Sequence, residues 1–100
     1  MAKTIVEIKQ RLEAAKPLIQ QKYHVAQIGI FGSYVRGEQT LKSDVDVLVE
    51  FEPGFRFGLL TFCELENYLS DLLGLKVDLV MKKGLKPYIG EQILQEVVYL

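Results

Sequence analysis

The sequence is poor in the features that mark secreted and membrane proteins. Its 100 residues include one cysteine, Cys63, and no tryptophan. A single cysteine cannot form an intramolecular disulfide, which favours a reducing compartment such as the cytoplasm, and we expect it to pack. The N-terminus has no apolar signal core and no run of about eighteen apolar residues occurs, so secretion and membrane spanning are both disfavoured.

A strong net charge is also missing. Twelve Lys and Arg residues against thirteen Asp and Glu residues leave a formal charge of -1 and a pI near 5.8. Proteins that bind an extended nucleic-acid backbone are usually strongly basic, so extended nucleic-acid binding is disfavoured. The length, with 49% hydrophobic residues, indicates one globular domain over residues 1–100.

Hydrophobic periodicity predicts four helices and three strands. Apolar positions three and four apart predict a first helix over about residues 4–22, which Pro17 kinks or ends early. The further elements are predicted as strands over 25–31, 44–51 and 75–81, a short helix over 33–36, and longer helices over about 59–73 and 87–99. This order predicts an α/β (α+β) fold in which helices cover one face of a small mixed sheet.

The second predicted strand contains carboxylates, which are unusual in a buried strand. Its period of two places valines on one face and Asp44 and Asp46 on the other. A third aspartate, Asp78, interrupts the next strand. A lone buried carboxylate costs several kcal/mol unless a cation or hydrogen bonds compensate it, so this grouping predicts a functional site.

The three aspartates predict a divalent metal site. Side chains two residues apart on one strand share a face, and neighbouring strands lie about 4.8 Å apart, so Asp78 can join Asp44 and Asp46 if its strand pairs beside theirs. Oxygen-only ligands favour Mg²⁺, which completes its shell with water and substrate phosphates. Two such ions suit an in-line displacement at phosphorus, which predicts nucleotidyl transfer with these aspartates as catalytic and metal-binding residues.

A phosphate-binding turn is predicted upstream of the aspartates. Gly32 and Ser33 end the first strand and open the short helix, where we expect open backbone N–H groups and a hydroxyl. Arg36 follows on the same helical side and adds a cation suited to phosphate oxygens. The G-x-x-x-x-G-K-[ST] motif of P-loop kinases and ATPases is absent, which disfavours that class.

The spacing of these residues resembles a known signature. Gly32-Ser33, ten intervening residues and Asp44-Val45-Asp46 match the G-S-x10-D-x-D pattern of the DNA polymerase β-type nucleotidyltransferase superfamily, and Asp78 stands where that superfamily has its third carboxylate. Over about residues 25–98 the chain resembles the minimal nucleotidyltransferase (MNT) branch.

This resemblance implies a site and a biological setting. It implies a polymerase β-like nucleotidyltransferase palm, ATP or another NTP as donor, Mg²⁺ held by the three aspartates, and triphosphate contacts at Gly32 and Ser33. Arg36 and Ser43 match positions at which the branch commonly has these residue types. Members are often antitoxins paired with HEPN-domain ribonuclease toxins, some transferring AMP to a partner tyrosine, which implies a homo- or hetero-oligomer.

Other interpretations stay open. The chain is alternatively a binding module that neutralises its partner by occlusion without catalysis, a degenerate enzyme, or an enzyme that modifies a small-molecule hydroxyl such as that of an antibiotic. Arg36 alone would be a solvated surface residue, and Ser43 a residue that caps the strand entrance. The sequence does not select the nucleobase or the acceptor.

Overall fold

A computed structural model describes residues 4–56 and 58–100 and contains both helices and strands in one layered fold. In chain order, the elements are α1 (Ile5–Tyr23), β1 (Val25–Phe31), α2 (Ser33–Arg36), β2 (Val45–Phe51), α3 (Leu59–Leu73), β3 (Val77–Met81), a 3-10 turn (Lys82–Gly84), α4 (Pro87–Glu96) and β4 (Val98–Tyr99). The predicted α+β class is confirmed, and most element boundaries agree with the sequence periodicity within two residues.

The strands form one mixed sheet in the order β3-β2-β1-β4. The central strand β1 is antiparallel to both neighbours, β2 and β4, whereas β2 and β3 are parallel. In the parallel pair, Asp46 is the register partner of Asp78. The condition under which Asp78 can join Asp44 and Asp46, that its strand pairs beside theirs, is therefore met.

The valine face of β2 forms the centre of the core. Val45, Val47 and Val49 are each at most 1% exposed. The aliphatic side chains that α1 and α3 contribute to the same buried cluster are Ile8, Leu12 and Ile19 of α1 and Leu65, Leu69 and Leu73 of α3. Burial of each such leucine or isoleucine contributes about 2 kcal/mol, which holds both helices on this face of the sheet.

The first helix continues through Pro17 rather than ending there. Proline removes one helical hydrogen bond, but Pro17 and Glu13, whose carbonyl loses its partner, both lie at exposed positions where water can replace the donor. Beyond the proline, Ile19 and Tyr23 are buried. Their packing favours continuation of the helix.

The C-terminal segment differs from the predicted helix over 87–99. The helix ends at Glu96, Val97 is extended (φ -60°, ψ 136°), and Val98–Tyr99 form β4. This strand pairs with Gly29 and Ile30 of β1. The predicted helix is wrong over this segment, because two β-branched valines also suit a short strand and the open edge of β1 supplies its hydrogen bonds.

Two expectations from composition have different outcomes. Cys63 is exposed on α3 instead of packed, since it lies off the buried leucine stripe of that helix. Within residues 4–56 and 58–100, no helix combines the length and the hydropathy of a membrane-spanning segment.

Candidate active site

The three predicted aspartates lie at the same end of the parallel strand pair. Asp44 directly precedes β2, Asp46 is the second residue of β2, and Asp78 is the second residue of β3. Asp44 and Asp46 are half-buried, whereas Asp78 is exposed. The exposed Lys76 lies 3.9 Å from Asp44 (Nζ to Oδ2), a pair too solvated to offset the local negative charge by much.

Electrostatic crowding is visible at Asp46. Burial, together with the carboxylates of Asp78 and Asp44, raises the pKa of Asp46 from 3.8 to about 6. Glu96 adds to the increase and Arg36 opposes it. The sheet therefore gathers more negative charge than its own cations neutralise.

The donor set fits a hard divalent cation. Every group is a carboxylate oxygen, which is the ligand type that Mg²⁺ prefers, and the ion can draw its remaining ligands from water and phosphate. Within residues 4–56 and 58–100, no three His, Cys, Asp or Glu side chains are already gathered as a metal-binding cluster. The roles of Asp44, Asp46 and Asp78 as metal ligands stay predictions.

Charge crowding predicts that Asp46→Asn stabilises the metal-free protein. The pKa of Asp46 is about 6 in the folded protein, against an ordinary value of 3.8, so ionisation of Asp46 opposes folding. The free energy of unfolding therefore falls as the pH rises from 3.8 through about 6. Discounted for solvent screening, the cost at pH 8 is about 1 kcal/mol, or about 5 °C in melting temperature. Thermal denaturation with a chelator present measures it.

The pH dependence supplies the control for this variant. At a pH of about 4, the wild-type carboxyl is largely protonated in the folded state, so the two proteins should melt at nearly the same temperature. A variant that melts below the wild type at pH 8 would contradict the crowding of charge at this position.

Gly32 brings the backbone directly against Asp46. Its φ of 83° and ψ of -152° lie in a region that essentially only glycine adopts. A Cβ added at Gly32 would lie 2.0 Å from Asp46 Oδ2. The turn between β1 and α2 therefore depends on glycine for two reasons, conformation and space.

A carboxylate that sequence analysis did not single out occupies this turn. Glu96 Oε2 accepts a hydrogen bond from the Gly32 N–H at 3.0 Å, and Glu96 Oε1 accepts one from Arg36 Nη1 at 2.6 Å. The expectation of an open N–H at Gly32 is therefore wrong. The only sequence signal was that Glu96 is the last polar residue before the apolar stretch 97–100.

Arg36 lies beside the acidic group, as predicted, and although its side chain is exposed it is paired with two carboxylates. Besides its contact with Glu96, its Nε lies 3.3 Å from a carboxylate oxygen of Glu38. The hydrogen bonds to Glu96 and then to Glu38 raise the pKa of Arg36. Its predicted phosphate contact is untested by this geometry, although its position next to Gly32 suits that role.

The two serines have different surroundings. Ser33 opens α2 and is half-buried directly after Gly32. Ser43 Oγ accepts a hydrogen bond from the Thr40 N–H at 2.8 Å and lies 3.4 Å from Thr40 Oγ1. Ser43 thus closes the turn before β2, which is the local capping role that sequence analysis left open, and its nucleotide role stays a prediction.

A cleft of about 530 Å³ opens over this group. Its lining residues are Phe31, Gly32, Arg36, Asp46, Ile89, Gln92, Ile93, Gln95 and Glu96. Five of these belong to α4, so this helix lies on the side of Asp46, away from the core helices α1 and α3. The volume is in the range of small-ligand sites.

A mixed sheet that carries paired aspartates beside a Gly-Ser turn, under an open polar cleft, is the arrangement of a nucleotidyltransferase catalytic domain. The family model described as "Nucleotidyltransferase domain" matches residues 12–100, and the chain belongs to this family. The predicted enzyme class is confirmed.

Related proteins and solved structures show which kinds of nucleotidyltransferase this chain resembles. The protein adenylyltransferase MntA of Thermococcus cleftensis is 52% identical over 99 residues, covering 97% of this chain and 96% of the relative. A candidate protein adenylyltransferase of Methanocaldococcus jannaschii is 54% identical over 101 residues, covering 98% and 99%. A solved candidate minimal nucleotidyltransferase is 37% identical with a TM-score of 0.81, covering 98% and 97%. The predicted MNT resemblance is confirmed.

A more distant neighbour shares the fold alone. It comes from a complex of a tri-AMPylated HEPN toxin of Shewanella oneidensis with its MNT antitoxin, at 19% identity and a TM-score of 0.65, covering 92% of this chain and 70% of that one.

Proposed function

We propose that this protein is a Mg²⁺-dependent adenylyltransferase that moves AMP from ATP onto a tyrosine hydroxyl of a HEPN-domain toxin and thereby acts as its antitoxin. The observation that carries the proposal is the pairing of Asp46 with Asp78 in adjacent parallel strands, with the Gly32 backbone packed against Asp46. Carboxylates that can hold divalent ions next to backbone and guanidinium donors suit phosphoryl chemistry.

The relatives support the donor and the partner. MntA of Thermococcus cleftensis, 52% identical, is named as a protein adenylyltransferase. A distant fold neighbour was solved with a tri-AMPylated HEPN toxin, and another toxin-antitoxin structure was solved with AMP-PNP. We therefore assign ATP as the donor and a HEPN toxin as the partner in a hetero-oligomer. The single cysteine supports the cytoplasm as the setting.

The proposed reaction is a displacement at the α-phosphorus of ATP. The acceptor oxygen bonds to that phosphorus, the bond to the pyrophosphate oxygen breaks, and the hydroxyl proton passes to Asp78, which is exposed and able to receive it. Mg²⁺, when bound by Asp44, Asp46 and Asp78, neutralises phosphate charge and lowers the pKa of the acceptor hydroxyl. Arg36 and the Gly32-Ser33 turn orient the triphosphate.

A transfer assay tests this proposal. The protein is incubated with Mg²⁺, the protein encoded next to it and ATP labelled on the α-phosphate, and we expect label on a tyrosine of that partner. ATP labelled on the γ-phosphate should leave the partner unlabelled, because pyrophosphate departs. Mass spectrometry locates the site. An unlabelled partner, with the toxin neutralised all the same, would overturn the adenylyltransferase assignment.

That last outcome would favour the second candidate, neutralisation by occlusion. The observation behind it is that α4 exposes apolar side chains: Tyr88 is 88% exposed and Ile89 is 57% exposed. Exposed aromatic and aliphatic groups on one helix can contribute to a protein interface. A partner-binding measurement without nucleotide separates the two functions.

A further inference from the structure

The carboxylate of Glu96 bridges two donors at opposite ends of α2. It accepts from the Gly32 N–H, at the start of α2, and from Arg36 Nη1, at the end of α2. Glu96 itself is the last residue of α4, and its side chain is 20% exposed. One anionic group from the C-terminal part of the chain thus engages both donors at once.

Those two donors are also the ones that a substrate phosphate would use. A carboxylate and a phosphate present similar oxygens to a guanidinium group and a backbone N–H, and both form short charge-assisted hydrogen bonds. Glu96 occupies the single Gly32 N–H donor at 3.0 Å and one N–H of Arg36 Nη1 at 2.6 Å. A phosphate oxygen can therefore bind the Gly32 N–H only if Glu96 moves away. A triphosphate would also be repelled by a carboxylate in this position.

We propose that Glu96 is an intramolecular competitor of the triphosphate: its carboxylate occupies the Gly32–Arg36 phosphate site until a polyphosphate displaces it. This inference rests on the proposed function of the same cleft. Glu96 faces about 530 Å³ of open space, so its side chain can turn aside without moving the core. The contact makes the affinity for nucleotide depend on the position of α4.

If Glu96 instead supports the phosphate site, its removal should change the anion affinity in the opposite direction. If Glu96 served to hold the strained Gly32 turn and Arg36 in their binding geometry, removing its carboxylate would loosen both donors, and anions would bind more weakly. The sign of one affinity change therefore decides between competitor and support.

Binding of inorganic tripolyphosphate by calorimetry, at constant Mg²⁺, measures that change. Glu96→Gln should bind tripolyphosphate about tenfold more tightly than the wild type, because a charge-assisted contact no longer has to be broken. Glu96→Asp keeps the charge but shortens the side chain by one methylene, so it no longer spans both donors. It should also bind several-fold more tightly, which excludes a simple effect of net charge.

Glu91→Gln is the matched control. Glu91 is exposed on the same helix but does not line the cleft, so its loss of charge should leave tripolyphosphate affinity within about twofold of the wild type. Melting temperatures establish that each variant is folded. Unchanged or weaker binding by folded Glu96→Gln and Glu96→Asp would overturn the proposal.

The same proteins keep this inference separate from the proposed function. Tripolyphosphate binding needs no acceptor and no transfer. If the variants bind more tightly while the wild type labels no partner, the competitor role stands and the transfer assignment fails. If the wild type labels its partner while the variants bind tripolyphosphate no more tightly, the transfer assignment stands and the competitor role fails.

Discussion

Asp46→Asn is expected to lower nucleotidyl transfer by about a thousandfold or more. Asp46 is the register partner of Asp78 and lies against Gly32, where the proposed Mg²⁺ would be held. A metal ion that neutralises transferring phosphate contributes several kcal/mol, and each 1.36 kcal/mol is about tenfold in rate. An amide supplies one neutral oxygen in place of a charged carboxylate. Single-turnover labelling of the partner, at saturating ATP and Mg²⁺, measures the loss.

Asp71→Asn is the matched control for this variant. Asp71 is an exposed aspartate on α3, remote from the cleft lining, and the same substitution there should leave the transfer rate within about twofold. Asp44→Asn should lower the transfer rate about as much as Asp46→Asn, because both carboxylates are proposed ligands of the same ions. A near-normal transfer rate for Asp46→Asn would contradict the proposed role of Asp46 as a metal ligand in the reaction.

The two expected effects of Asp46→Asn have opposite signs, which makes them informative together. Loss of activity with a gain in metal-free stability is typical of a functional residue that opposes folding, whereas an unfolded variant would lose both. The raised pKa of Asp46 identifies the cause, since burial and neighbouring carboxylates disfavour the charge that the chemistry needs.

Strand patterning was sufficient to predict which face of β2 carries its aspartates. Alternation in β2 requires that valines and aspartates lie on opposite faces, and this period leaves little freedom once one face is buried. The parallel pairing of β3 beside β2 was the condition on which the metal prediction depended, and the register Asp46 with Asp78 satisfies it. Local sequence therefore contained the essential information there.

Glu96 could not be predicted in the same way. Its role depends on where α4 ends and on how β4 pairs with β1, and both depend on contacts between residues more than sixty positions apart. The apolar stretch after Glu96 fits a helix or a strand equally well over so few residues. Only the open edge of β1 decides between them, and that edge is a property of the folded sheet.

Gly32→Ala is expected to damage both the fold and the reaction. The backbone at Gly32 (φ 83°, ψ -152°) strains any residue with a Cβ, and the added carbon would lie 2.0 Å from Asp46 Oδ2. The strain alone costs about 1–3 kcal/mol, and a displacement of about 1 Å at a catalytic group can cost a hundredfold in rate. We expect a lower melting temperature and at least a hundredfold slower transfer.

Gly37→Ala separates strain from steric contact. Gly37 also has a positive φ, of 73°, but a Cβ there meets no atom within 4 Å. It should lose about 1 kcal/mol of stability and keep most of its transfer rate, since no carboxylate has to move. If Gly32→Ala lost no more activity than Gly37→Ala, the close approach of the Gly32 backbone to Asp46 would not affect the reaction rate. A hundredfold gap would show that the position of Asp46 depends on the missing side chain at Gly32.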